Sequence, residues 1–296
     1  MRFSEICQHK DVTISFELFP PKTAEGEVKL FERTIPELLK LEPAFLTCTY
    51  GAGGSTREKT LDIVSRIVKE VHYEAASHLT CVGASRADLV GYLEQARSNG
   101  IDNLVALRGD APQGDDTFRP HPDGFKYAVE LVAFLKQLGG FDIMVAGYPE
   151  GHPECPDKHL DWQRCAAKVE AGADAIITQL FYDLNDFYAF EDYLVNKLGV
   201  RVPIMPGILP ILNLEQIQRF CSICGARLPE QLIQRLASYG DDKQASRKYG
   251  VELATEMSAE LLRHGVPGIH FYTLNRSDST TEIIHNLGLL TNKSAS

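Results

Sequence analysis

Glu17 lies in the run Ser15-Phe16-Glu17-Leu18-Phe19-Pro20-Pro21, a single carboxyl among apolar neighbours. Burial disfavours the charged form, so this carboxyl is expected to titrate high and to act as a general acid. A strand-end glutamate paired with a cation is the plainer alternative. A second acid follows an apolar run at Leu107-Arg108-Gly109-Asp110. Gly109 permits a turn that a Cβ would block, and Pro112 forbids further pairing. Asp110 could serve a ligand or simply pair with the adjacent Arg108. His78, His152, His159, Glu154 and Cys155 carry metal-binding side chains. Neither H-E-x-x-H nor a paired C-x-x-C is present, so no metal site is expected. Cys221-Ser222-Ile223-Cys224 is a lone C-x-x-C and reads as two thiols near a helix end. Serine-hydrolase and phosphate-loop motifs are absent. Tyr50 and Tyr148 each adjoin small residues (Gly51 and Ala52; Ala146 and Gly147), which leaves room for a flat ring.

The elements that must hold these groups alternate along the chain. Strand patterns occur at 13–19, 45–50, 75–82, 103–107, 142–148, 175–182, 203–209 and 268–274. Helical patterns follow at 25–41, 56–71, 85–99, 125–138, 158–171, 186–198, 214–224 and 280–287, with extra helices at 229–238 and 242–265. Eight strand-helix units spaced about 30 residues apart, with one enlarged link before strand eight, predict an α/β fold, a (β/α)8 TIM barrel. A doubly wound sheet is the runner-up, weakened because no G-x-G-x-x-G follows strand one. One domain over 1–296, with a core at about 13–288, accounts for the pattern. In such a barrel the site lies at the carboxyl ends of the strands. Those ends carry Glu17, Thr49-Tyr50, His78, Arg108-Gly109-Asp110, Tyr148, Gln179, the Pro206-Gly207 bend, and Tyr272 with Arg276.

Bulk properties narrow the partners. A formal net charge of -10 argues against broad nucleic-acid binding. No apolar run reaches the ~18 residues of a membrane span, and Met1–Glu5 opens no signal peptide, so a cytoplasmic protein is expected. Seven scattered cysteines suit reduced thiols.

Eight segments, in order, resemble one family: Ser15–Lys22, Thr49–Ala52, His78–Cys81, Ala106–Asp110, Tyr148–Glu154, Ile177–Gln179, Pro206–Pro210 and His270–Arg276. They look like the flavin-dependent 5,10-methylenetetrahydrofolate reductases, over about residues 13–288. The resemblance implies a barrel holding FAD at its strand ends. NADH or NADPH (NADH by likeness to the short bacterial enzymes) reduces the flavin and leaves. Methylenetetrahydrofolate then takes its place and is reduced to 5-methyltetrahydrofolate, a methyl source for methionine synthesis.

Carried over by motif, the catalytic residues are Glu17 as general acid and Asp110, which contacts the pterin and influences the flavin. FAD is assigned Thr49, Tyr50, Ala52, His78, Arg108, Gly109, Asp110, Tyr127, Ala128, Tyr148, His152, Asp161, Arg164 and Lys168. Substrate is assigned Glu17, Asp110, Gln179, Gln216, Phe220, Tyr272 and Arg276. Two segments depart from the family pattern. The connection from Asp110 to Tyr127 is long, and Arg164 and Ala167 do not repeat an expected polar pair. The chain ends soon after the barrel, so inhibition by S-adenosylmethionine is not expected. A homo-oligomer is expected, since exposed barrel helices allow dimers or tetramers. Two alternatives are a proline-dehydrogenase-like flavin barrel, which folate turnover would exclude, and a silent flavin- or folate-binding protein, which flavin reduction by NADH would exclude.

Overall fold

The structure is a computed structural model that describes residues 3, 12–50, 56–110 and 118–289. Its strands are β1 (Thr13–Leu18), β2 (Phe45–Cys48), β3 (Ala75–Thr80), β4 (Asn103–Leu107), β5 (Asp142–Gly147), β6 (Ala175–Thr178), β7 (Ile204–Met205), β8 (Gly207–Ile208) and β9 (Gly268–Tyr272). All pair in parallel, in the order β7-β6-β5-β4-β3-β2-β1-β9-β8. β7 and β8 are the two halves of the seventh strand expected from sequence. Residues 204–205 pair with β6, whereas 207–208 pair with β9. Pro206 between them has no N–H to donate, but its carbonyl accepts from His270 N at 3.0 Å. The strand thus changes partners at its bend, which brings the two edges of the sheet together. Eight strand positions make the (β/α)8 barrel.

The surrounding helices are α1 (Ala24–Lys29), α2 (Ile35–Leu39), α3 (Arg57–Arg66), α4 (Arg86–Ser98), α5 (Ala128–Leu138), α6 (Lys158–Glu170), α7 (Leu184–Asp192), α8 (Leu214–Cys224), α9 (Glu230–Ala237), α10 (Lys243–His264) and α11 (Asp278–Asn286). Short polar side chains begin several of them. Ser85 and Asp88 form a reciprocal cap on α4, and Asn213 and Asp242 accept the first free N–H groups of α8 and α10. α5 starts three residues later than its apolar pattern suggests. Tyr127 is extended there, and Glu130 folds back to accept from Lys126 N and Tyr127 N at 2.7 and 2.8 Å.

Alternation along the strands divides the interior into two cores. On β1, Ile14, Phe16 and Leu18 face outward and join the large apolar cluster under the helices. Truncating one such ring, Phe16→Ala, would cost about 3–5 kcal/mol. The inward face carries Phe45, Ala76, Val105, Met144, Ala175, Ile177 and Met205, a compact apolar floor. Phe3 plugs it: the residue is buried, its ring lies 4.5 Å from Phe45, and its N–H donates to Asn103 Oδ1 at 3.2 Å. Above this floor the inward residues turn polar, and that change places the site at the carboxyl end.

Candidate active site at the carboxyl ends of the strands

Ser15 and Glu17 are two residues apart on β1, so both point into the barrel. Register sets His270 of β9 beside Ser15, and Thr47 of β2 and Tyr272 of β9 beside Glu17. Glu17 Oε2 therefore lies between two imidazoles, with His270 Nε2 at 3.3 Å and His78 Nε2 at 3.4 Å. The other ring nitrogen of His270, Nδ1, meets Ser15 Oγ at 2.8 Å. Glu17, His78 and His270 are all buried.

These neighbours overturn one expectation from sequence. Burial alone does push the Glu17 carboxyl up, but the hydrogen bond from His270 and the closeness and charge of both imidazoles outweigh it. They hold the carboxyl down at about 2. Flanking residues in the chain could not reveal this, because both histidines come from other strands. The correction bears on the chemistry. At neutral pH the carboxyl by itself is ionised, and any proton available here belongs to the carboxylate–imidazole cluster as a whole.

A second group of expected residues gathers beyond β4 and β5. Arg108 forms a two-pronged ion pair with Glu154, at 2.5 and 2.8 Å. The Tyr148 ring meets His152 edge-on at 4.8 Å, and His152 N donates to Asp161 Oδ2 at 3.2 Å. Burial pushes the Tyr148 hydroxyl up, and the charges of Asp110 and Asp161 push it the same way. Burial and the Arg108 charge hold the His152 imidazole below its usual value. Lys168 Nζ donates to Ala146 O at 2.5 Å, and Arg164 Nη1 contacts Cys155 Sγ at 3.5 Å. Gly109 takes φ +83, and a Cβ there would meet Val82 Cγ1 at 2.6 Å, so the turn after Arg108 requires glycine.

The remaining assignments are spread around the same rim. Thr49 is buried and its carbonyl accepts from Thr60 Oγ1 at 2.7 Å. The Tyr50 ring meets Tyr92 edge-on at 6.1 Å. Tyr127 and Ala128 stand at the start of α5. Gln179 shares a narrow cleft with Tyr148, Glu150 and Cys224. Gln216 and Phe220 lie on α8, and Phe220 packs against the smaller apolar cluster that includes Ile217 and Leu232. The Tyr272 hydroxyl is committed to Thr178 O at 2.7 Å. Asp110 and Arg276 are exposed. Ala52 lies outside the described residues. A surface cleft of about 370 Å³ lies elsewhere, between α3 and α4, and its Arg66 and Lys69 are taken by Glu27 and Asn99.

Burial pushes the Cys221 thiol up to about 12 and raises Cys224 also. Thiols held protonated are poor nucleophiles and poor metal ligands, which agrees with the plain reading of this pair. Among the described residues no cluster of metal-ligating side chains occurs, and no helix is long and apolar enough to cross a membrane.

Two inward atoms just above the floor, Thr47 Oγ1 and Thr80 Oγ1, have no hydrogen-bond partner among the described residues. Buried polar groups are nearly always satisfied, so a ligand with a hydrogen-bonding edge fits this rim. Arg108 and Lys168 supply cations for an anionic group, as a dinucleotide cofactor such as FAD requires. In this structure both already have protein partners, which such a group would have to displace or join.

Ser15, His270, Thr273, Asn275 and Glu154 were not assigned roles from sequence. For Ser15 a signal existed: polar residues two apart, Ser15 and Glu17, on a strand whose other face is wholly apolar. His270 shows the same pattern, lying between Ile269 and Phe271.

A family model described as methylenetetrahydrofolate reductase matches residues 2–288. The 5,10-methylenetetrahydrofolate reductase of Escherichia coli (strain K12) is 39% identical over 278 residues, covering 94% of this chain and 91% of that one. Methylenetetrahydrofolate reductase (NADH) 1 of Arabidopsis thaliana is 40% identical over 300 residues, 98% of this chain and 50% of that one. The chain thus spans about half the length of the plant relatives it matches. Among solved structures, an uncharacterized protein from Clostridium thermocellum that binds two copies of 5-methyl-5,6,7,8-tetrahydrofolic acid superposes with TM-score 0.65 at 20% identity, covering 96% of each chain. A dihydropteroate synthetase superposes with TM-score 0.51 at 10% identity, covering 92% of this chain and 91% of that one. At such identities the likeness concerns the fold.

Proposed function

This chain belongs to the methylenetetrahydrofolate reductase family, and from that premise we propose that it reduces 5,10-methylenetetrahydrofolate to 5-methyltetrahydrofolate with NADH, using FAD. The product would supply methyl groups for methionine synthesis. When bound, FAD supplies the redox chemistry, taking a hydride from the pyridine nucleotide and returning one to the folate's one-carbon unit. The residues proposed to hold it are Thr49, Tyr50, Ala52, His78, Arg108, Gly109, Asp110, Tyr127, Ala128, Tyr148, His152, Asp161, Arg164 and Lys168. Arg108 and Lys168 are the cations of that group.

The protein's own task in the second half-reaction is a proton. Opening the folate's five-membered ring to an electrophilic iminium requires protonation of the departing ring nitrogen. Positioned acid catalysis of this kind contributes ~10²–10⁴-fold. We assign the proton to the Glu17–His78–His270 cluster. His270 is oriented by Ser15, and Glu17 is the member that reaches the substrate. Because Glu17 Oε2 lies within 3.3 and 3.4 Å of two imidazoles, the acid role is assigned to the three groups together and not to the carboxyl alone. Asp110, Gln179, Gln216, Phe220, Tyr272 and Arg276 are assigned to substrate.

The observation that carries this reading is Glu17 Oε2 held at 3.3 and 3.4 Å from two imidazoles at the carboxyl rim of the family's barrel. The test is anaerobic mixing of the FAD-loaded protein with NADH, followed by methylenetetrahydrofolate, in wild type and Glu17→Gln. The flavin absorbance should bleach and return in wild type. The variant should bleach normally and return slowly. Failure of the wild-type protein to bleach, or equal loss in both steps of the variant, counts against the reading.

A further inference from the structure

We infer that Asn275 is a positioning residue for Glu17, clamping the tip of β1 so that the carboxylate stays between its two imidazoles. The inference rests on the reading of Glu17 given above and adds a residue to it. Asn275 Oδ1 accepts from Phe19 N at 2.9 Å, and Asn275 Nδ2 donates to Phe19 O at 2.7 Å. One side-chain amide thus satisfies both backbone groups of a single residue, as a neighbouring strand would. The position matters because Pro20 and Pro21 follow. Phe19 carries the last N–H that the tip of β1 can offer before two residues that have none.

The clamp has a second contact two residues back. Thr273 Oγ1 donates to Glu17 O at 2.7 Å, and Asn275 N donates to Thr273 Oγ1 at 3.2 Å. Thr34 Oγ1, on the helical side, donates to Asn275 O at 3.3 Å. Backbone atoms on both sides of Leu18 are therefore held, and Glu17 projects from one of the held residues. The Glu17–imidazole distances lie near the outer limit of a hydrogen bond, so a small shift of this tip would break them.

The loop adopts an unfavourable backbone to reach this place. Leu274 has φ +49 and Asn275 φ +57, two of four non-glycine residues with positive φ among the described residues. Asn tolerates that region well, whereas leucine does so rarely. Such backbone persists where surrounding contacts over-determine it, and here Leu274 packs against the apolar cluster around Leu209 and Ile211. Side-chain type is equally constrained. Aspartate could accept from Phe19 N but would set a carboxylate oxygen against Phe19 O. Glycine would keep the left-handed backbone and delete the amide.

Asn275→Gly and Asn275→Asp test the inference, because both residues tolerate this backbone and should leave the barrel folded. Misplacing a catalytic group by about an ångström costs up to ~10²-fold. Each variant should lose about 10- to 100-fold in reoxidation of the reduced flavin by methylenetetrahydrofolate and keep the wild-type rate of flavin reduction by NADH. In a Glu17→Gln background Asn275→Gly should add no further loss. An unchanged folate step, equal loss in both steps, or a full extra loss in that background would overturn the inference. A substrate-free readout separates its failure from that of the functional reading. In protein labelled with ¹³C at glutamate carboxyls, the Glu17 titration midpoint should move up in Asn275→Gly. An unmoved midpoint overturns the clamp, even if wild-type protein shows no folate reduction at all.

Discussion

His270 Nε2 stands 3.3 Å from Glu17 Oε2, while its Nδ1 is held by Ser15 Oγ at 2.8 Å. The imidazole is buried and has a partner on each nitrogen, so its orientation is set from one side and used on the other.

His270→Ala should therefore be costly to the fold as well as to the proposed chemistry. It leaves Ser15 without this contact and removes the hydrogen-bonded partner of a buried carboxylate. Leaving a buried polar group without its hydrogen-bond partner costs about 1–3 kcal/mol, more for a charged one. Urea unfolding at neutral pH checks this. A loss below about 1 kcal/mol would mean that the contact adds little to the fold.

The acid limb of stability should depend on Glu17. Its folded-state value is depressed to about 2 against an ordinary 4.5, so its contribution is complete above the unfolded value. That contribution is lost as pH falls from about 4.5 through about 2, and it amounts to something on the order of 3 kcal/mol. Glu17→Gln should flatten the stability-versus-pH curve across that window. An unchanged slope in denaturation measured from pH 5 to 2 would contradict the depressed value.

Arg108 is paired with Glu154, whose side chain is 59% exposed. Exposed pairs are worth about 0–1 kcal/mol. If the pair competes with a cofactor phosphate, Glu154→Gln should tighten FAD binding to the apoprotein by up to about fivefold. Quenching of flavin fluorescence at two salt concentrations measures it. Weaker binding would mean that Glu154 orients Arg108 for the ligand instead.

Gly207 has no room for a methyl group. A Cβ would lie 2.3 Å from Thr178 O and 2.7 Å from Tyr272 Cε2, the ring that crosses the strand bend. Gly207 N also donates to Thr178 Oγ1 at 2.9 Å. Gly207→Ala should destabilise the protein by about 1–3 kcal/mol through overpacking, read as a lower midpoint of thermal unfolding. An unaltered midpoint would mean that the backbone at Thr178 and the Tyr272 ring both give way at little cost.

The repeating alternation of short apolar runs and amphipathic stretches predicts eight strand-helix units, because burying strands under a helical layer imposes that pattern on the chain itself. It fits a doubly wound sheet as well, and only the pairing of the last strands with the first closes the barrel. The bend in strand seven was also legible, since Pro206-Gly207 can neither donate nor continue regular pairing. Strand ends mark which residues reach the carboxyl rim, Glu17 among them. Apolar periodicity starts α5 at Phe125, whereas the helix begins at Ala128, because Glu130 folds back to accept from Lys126 N and Tyr127 N.

What local sequence could not supply was company. An acid between Phe16 and Leu18 looks isolated in an apolar run, and that reading predicts a high-titrating carboxyl. Strand register decides otherwise, bringing His78 from sixty-one residues away and His270 from 253 residues away to one oxygen. The same holds for Asn275, whose amide acquires its role only where the last strand lies beside the first. Periodicity is a property of one segment and survives in a linear text. The charge state of a buried group depends on which other segments face it, and closure of the barrel alone determines that.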